Sequence, residues 1–176
     1  TILLNLCLLA SVSQAQLTEV AKLTASDAGT GGSDPRFGSS LALDGNRAIF
    51  GAGLKNGVAQ SSGGAYIFEQ NASGAWIEVA NLTQSDPVIF DHFGSSVAIS
   101  GDYAIVGAYR KGNFTGAAYI FERSAGGTWS EVAKLEASDK EVEDSFGGVV
   151  AIDGNCAMVG AADEATGGAY AGAVYV

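Results

Sequence analysis

The chain has 176 residues, 47% hydrophobic content, 25 glycines and a formal net charge of −10 at pH 7. That length supports one domain with a sizeable core. The acidity argues against nucleic acid and anionic membrane surfaces as partners, because both need Lys and Arg to neutralise them.

Residues Thr1–Ala15, TILLNLCLLASVSQA, read as the end of a secretory signal peptide. The apolar run Ile2–Ala10 is too short to span a bilayer, and Ser13 and Ala15 are small residues at −3 and −1 before Gln16. The expected mature domain is 16–176, without membrane insertion and outside the cell. Only Cys156 remains in it, so no disulfide framework is expected.

Residues 17–23, LTEVAKL, return as 76–82, WIEVANL, and as 129–135, WSEVAKL. Each predicts a strand, with Leu or Trp, Glu, Ala and Leu on one face and Val on the other. A polar link follows each time, and then a gapless sixteen-residue unit. The three copies are Phe37–Ala52 (FGSSLALDGNRAIFGA), Phe93–Ala108 (FGSSVAISGDYAIVGA) and Phe146–Ala161 (FGGVVAIDGNCAMVGA). A frame of Phe, Gly, Ala, Gly, Ala, Gly, Ala runs through all of them. Within each unit, Asp44-Gly45-Asn46, Ser100-Gly101-Asp102 and Asp153-Gly154-Asn155 predict a tight hairpin. A variable loop and a third strand follow, at 64–69, 117–122 and 172–176.

A fixed period above fifty residues points to blades or arrays, and no segment sustains a helical period. The strands carry small and branched apolar residues on both faces, so both faces are expected to be covered. Four-stranded antiparallel β-propeller blades, packed side by side with Gly and Ala at close approaches, fit this all-β pattern. The repeats are about 37–82, 93–135 and 146–176, plus the lone strand 17–23. The last blade therefore needs a fourth strand from the N-terminal segment or from another chain. One reading is a fragment of a longer propeller. The other is head-to-tail self-association by strand exchange, giving a ring or a filament.

The FG…GA frame with its flanking WxEVAxL and GAYIF segments resembles the FG-GAP repeat of integrin-α-like propellers, over essentially all of 17–176. The resemblance implies a β-propeller working in extracellular adhesion or ligand binding. Integrin-type blades often carry a DxDxDGxxD calcium loop, and no such string occurs here.

No enzyme is expected. There is a single histidine, His92, and no GxSxG, HExxH, CxxC or P-loop string. His92 is read as a surface loop residue. The acids Asp27 and Asp34, Asp86 and Asp91, and Asp139 and Asp144 recur in the links. They suit either a calcium site built from oxygen ligands or capping of tight turns, and a six-ligand site needs more oxygens than the motif supplies. No other cofactor is implied. Asn71, Asn81 and Asn113 begin N-glycosylation sequons and are expected to face solvent. The recurring Phe, Tyr and Trp residues are expected to pack between blades rather than to stack sugars. The loops 53–63, 109–115 and 162–168 vary while the frame holds, which places a protein or glycan ligand there. Three functions remain open: a binding or adhesion module, a structural subunit of a filament or ring, and a non-catalytic appendage of a secreted hydrolase.

Overall fold

The computed structural model describes residues 19–28, 35–165, 167–168 and 170–176. Residues 1–15, read above as a signal peptide, lie outside them, as does Asp34. Each sixteen-residue unit becomes a hairpin: β1 (Ser40–Asp44) with β2 (Arg47–Gly51), β5 (Ser96–Ser100) with β6 (Tyr103–Ala108), and β9 (Phe146–Asp153) with β10 (Cys156–Ala161). Their turn glycines, Gly45, Gly101 and Gly154, have φ of 55–57°. Glycine at the first central position with positive φ is what a two-residue turn of this hand requires.

The third strands β3 (Ala65–Gln70), β7 (Ala117–Arg123) and β11 (Ala173–Tyr175) pair with β2, β6 and β10. The fourth strands β4 (Trp76–Leu82) and β8 (Trp129–Leu135) pair with β3 and β7. The described residues thus form three antiparallel sheets of four, four and three strands, as propeller blades require. One short helical turn, Lys111–Phe114, has left-handed backbone at Gly112 and Asn113 and belongs to a loop. The alternation read in WIEVANL holds, with Trp76, Glu78, Ala80 and Leu82 turned inward.

The sheets stack face to face in chain order. Ile49 and Ile67 of the first share a core with Phe93, Val97, Ile99 and Val106 of the second. Ile105 and Ala118 of the second meet Phe146, Val150 and Val159 of the third. Each branched side chain fully buried in these contacts stabilises by about 2 kcal/mol. Both faces of the middle sheet are covered, as expected, but each outer sheet leaves one face open.

Gly51 and Gly107 set how closely the sheets approach. A Cβ on Gly51 would lie 1.9 Å from the Gly94 carbonyl oxygen, and one on Gly107 would lie 2.0 Å from that of Gly147. Ser40 and Ser96 donate to the same two carbonyls, at 2.9 and 2.7 Å.

The recurring aromatics stack on one another within each sheet. Phe37, Phe93 and Phe146 stack edge-on against Tyr66, Tyr119 and Tyr175 of their own sheets, at 5.4, 5.5 and 5.3 Å. Phe93 and Phe146 also enter the cores shared with the preceding sheet, beside Ile49 and Ile105 respectively. Of the expected strand 17–23, the described residues 19–23 join no sheet. Leu23 and Ala25 pack instead on Tyr66 and Phe68 of the first sheet. β3 already pairs β4, so that edge is taken.

Candidate functional site

The polar links and the variable loops gather at one edge of the stack. The second and third links are hydrogen-bonded to the loop of the preceding sheet. Phe90 and His92 N–H donate to Gln60 and Ser61 carbonyls at 2.9 and 3.3 Å, while Glu143 and Ser145 donate to Asn113 and Phe114 at 3.3 and 2.6 Å. Residues Arg36, His92 and Ser145, just before each FG, all have left-handed φ of 50–59°. His92 is only 9% exposed, not a surface residue. Its place is a backbone position shared by three unlike side chains. Burial, then the charges of Arg110 and Arg36, hold its imidazole below the ordinary value, so it is neutral near pH 7.

The link then clamps the sheet that follows it. The Tyr66 hydroxyl donates to Asp27 Oδ1 at 2.6 Å, Tyr119 to Asp86 at 2.7 Å, and Tyr175 to Asp139 at 2.7 Å. One residue earlier, the N–H and hydroxyl of Ser26 bind the carboxylate of Glu78, and those of Ser85 bind Glu131. The Ser-Asp dipeptide therefore ties the third and fourth strands to the link. The tyrosine pairing was missed in the sequence, although both partners sit at frame positions.

Lysine completes the clamp in two sheets. Lys55 lies 2.8 Å from Asp27 Oδ2 and over the Tyr66 ring. Lys111 donates to Asp91 Oδ2 at 2.9 Å and to the Asp86 carbonyl at 2.6 Å, with the Asp86 carboxylate 3.3 Å away. Asp91, 2% exposed, also accepts from Gln84 Nε2 and the Val88 N–H. The paired acids of the second link do converge, and the cation between them is an ammonium. In the third sheet the lysine position is Glu164, which is buried. Asp144 there accepts the Glu141 N–H at 2.6 Å, a turn-closing bond. Among the described residues no group of three or more His, Cys, Asp or Glu side chains is placed to hold a metal ion. Asp27, Asp86 and Asp91 have their oxygens engaged by tyrosine, lysine and backbone donors.

The sequon asparagines are all exposed. Asn71 caps its turn by accepting from Ser73 and Ala75, and Asn81 bridges Lys55 and Asp27. Asn113 has left-handed backbone in its loop. Cys156 is free and exposed.

These pairs set how stability depends on pH. Burial raises the Asp86 carboxyl, but hydrogen bonds from Tyr119 and Lys134 and the Lys111 charge outweigh it and hold it below 3.8. Asp27 is lowered likewise against its own burial, by Lys55 and Tyr66. That stability is present above the ordinary carboxylate range and lost as pH falls through the lowered pKa. Burial and the neighbouring aspartate push Tyr66 and Tyr119 far above 10.0, and the hydrogen bond to Asp139 carries Tyr175 up to about 12. This contribution is present below pH 10 and lost as pH rises through the raised values. Stability is expected to be flat from about pH 7 to 9, and to decline below about pH 6.5 because the unfolded chain protonates His92 before the folded one does. It should fall further through the lowered aspartate values, and fall again above about pH 10. In absorbance titration, Tyr66 and Tyr119 should ionise only as the protein unfolds. Tyr119→Phe should cost about 2 kcal/mol in urea unfolding, as a bond to a charged acceptor.

Above the second clamp, Val88, Ile89 and Phe90 stand exposed beside Arg110, whose guanidinium covers the Phe114 ring at 4.6 Å. With Asp91, Gly112 and Asn113 they line a groove of about 350 Å³.

The repeated sheets, their FG turns and the Ser-Asp clamps coincide with one known repeat. A model of the FG-GAP repeat matches residues 17–68, 76–121 and 129–176. The chain belongs to the FG-GAP repeat family. Comparison with curated proteins finds no match. Each matched FG-GAP unit begins at a WxEVAxL-type segment, so the sequence repeat and the sheet are offset by one strand: 76–121 runs from β4 of one sheet to β7 of the next. FG-GAP repeats indicate a propeller-type module of the binding or adhesion kind, and among the described residues no helix is long and apolar enough to cross a membrane.

Proposed function

We propose that this chain is a secreted or cell-surface, non-catalytic module that recognises a protein or glycan ligand with its variable-loop edge. The observation that carries this is the groove formed by Val88–Asp91 and Arg110–Phe114. Its floor is tied to the clamp through Lys111 and Asp91, while its rim is exposed Val88, Ile89 and Phe90. A rigid base under unpaired apolar and aromatic side chains, with one guanidinium, is the composition of a binding hot spot. The frame residues, Phe, Gly and Ala, offer no acid, base or nucleophile, and the one histidine is buried by its backbone role.

The sequons and the sequence of 1–15 support an extracellular setting. The reading is tested by measuring binding to panels of immobilised glycans and extracellular-matrix proteins. A ligand whose affinity drops at least about tenfold in Phe90→Ser and Arg110→Ala supports it. Binding that ignores both substitutions refutes the assignment of the groove.

A further inference from the structure

We propose that the pocket between the end of β4 and the second sheet binds a single neutral sugar ring, held by Gln84 and Trp129. It shares no lining residue with the groove above the second clamp, so it is a second site.

The pocket has a volume of about 250 Å³ and is walled by the end of β4, the link that follows it, and β7 and β8. Two polar atoms of its lining residues lack what their burial demands. Gln84 is 4% and Trp129 8% exposed. Among the described residues, neither Gln84 Oε1 nor Trp129 Nε1 has a hydrogen-bond partner. Folded proteins keep few such atoms, because losing water without gaining a partner is costly.

The orientation of the Gln84 amide is fixed by its other arm. Its nitrogen donates to the Asp91 carboxylate at 2.6 Å, a bond that the carbonyl arm cannot make. Oε1 is therefore the acceptor left over. The Trp129 ring packs in the core shared by the first two sheets, and its one polar atom is the indole N–H. A free acceptor and a free donor thus belong to one pocket.

The sequence departs from its own repeat at the same place. In the links LTASD, LTQSD and LEASD, Gln84 stands where the others have Ala25 and Ala137. Both alanines are buried. The position is apolar in the repeat, and the second link puts an amide there.

A ligand for these atoms must donate to Gln84 and accept from Trp129. Hydroxyls do both, whereas an ammonium accepts nothing and a carboxylate donates nothing. Among the described residues Glu131 is the only charged one lining the pocket, which disfavours an anion. Its carboxylate is held in place by the Ser85 N–H and hydroxyl, at 2.8 and 2.7 Å. One water takes about 30 Å³, far less than the space available. Sites for drug-sized ligands begin at about 300 Å³, so the occupant is small. A sugar ring lies between these limits. It offers neighbouring hydroxyls to the two polar atoms and C–H groups to Leu82 and Phe121.

Proton–nitrogen correlation NMR of the full chain tests this, because Trp76 and Trp129 give two indole N–H signals. Trp129→Phe assigns them. Titration with neutral monosaccharides and their methyl glycosides should shift the Trp129 signal saturably and leave that of Trp76 in place. A free sugar that binds while its glycoside fails marks a monosaccharide site; a glycoside that binds marks the end of a glycan. Gln84→Ala, which restores the residue of the other links, should weaken the response about tenfold. Trp129→Phe, read by calorimetry, should do the same, and it carries the test if Gln84→Ala does not fold. Phe90→Ser and Arg110→Ala should change neither response, so the outcome is independent of the groove. A Trp129 signal that no sugar moves means that the pocket holds water alone. One that N-methylacetamide moves equally means that it reads amides. Either result, or full affinity in both pocket variants, overturns the proposal.

Discussion

Gly107→Ala is expected to lower unfolding free energy by about 3 kcal/mol, and Gly160→Ala to leave it unchanged or raise it by about 0.5 kcal/mol. The two glycines occupy the same place in consecutive sheets, so propensity and turn chemistry cancel in the comparison. What differs is the neighbour. At Gly107 a methyl group would lie 2.0 Å from the Gly147 carbonyl and 2.3 Å from Ser96 Oγ. Neither backbone can yield, because Gly147 is itself pinned, its own absent Cβ facing the Ala117 carbonyl at 2.3 Å. The second and third sheets would have to separate, exposing Ile105, Ala118 and Phe146. At Gly160 no atom stands in the way, and an added methyl only reduces the freedom of the unfolded chain. Urea unfolding at low protein concentration reads both values. Equal effects at the two sites would show that strand geometry, not sheet-to-sheet approach, selects glycine here.

Lys111→Met is expected to cost about 3 kcal/mol, and Asp91→Asn in the same molecule to restore part of it. Lys111 and Asp91 form a nearly buried pair at 2.9 Å, joined by the Asp86 carbonyl and carboxylate. Removing the ammonium leaves the Asp91 charge inside the edge with only Gln84 and the Val88 N–H as donors. The asparagine removes that uncompensated charge, so the two losses should not add. Urea unfolding of the four-protein cycle gives the coupling directly. Additive losses would mean that Lys111 acts through its methylene packing and its bond to the Asp86 carbonyl alone. Binding should also fall in Lys111→Met if the groove is the ligand site, because Lys111 holds the floor beneath Phe90 and Phe114.

The hairpins were legible in the sequence because their signals are local. A glycine with positive φ between two apolar runs specifies a turn whatever surrounds it, and all three formed where expected. The strand order within a sheet followed from short connections. Residues 19–23 of the expected strand join no sheet, because a strand's pairing partner is set by what lies beside it and not by its own alternation. WIEVANL and WSEVAKL find β3 and β7 as neighbours, whereas residues 19–23 are drawn onto the first sheet by Leu23 and Ala25.

The link acids show the same division. Their recurrence could be counted, but calcium ligation and turn closure require the same residue type at the same spacing. Only the fold brings Tyr66, Tyr119 and Tyr175 across from strands more than thirty residues away, and puts Lys111 between Asp86 and Asp91. His92 looked like a loop side chain and is a buried left-handed backbone position, which no side-chain pattern announces.

By itself, the sequence determined the repeat, the turns, the all-β class and the FG-GAP frame, since each rests on residue type at fixed spacing along the chain. The tertiary structure alone decided which glycines are sterically required, which acids are occupied, and which faces are left open. Those depend on atoms that approach from another sheet, at distances that no spacing along the chain encodes.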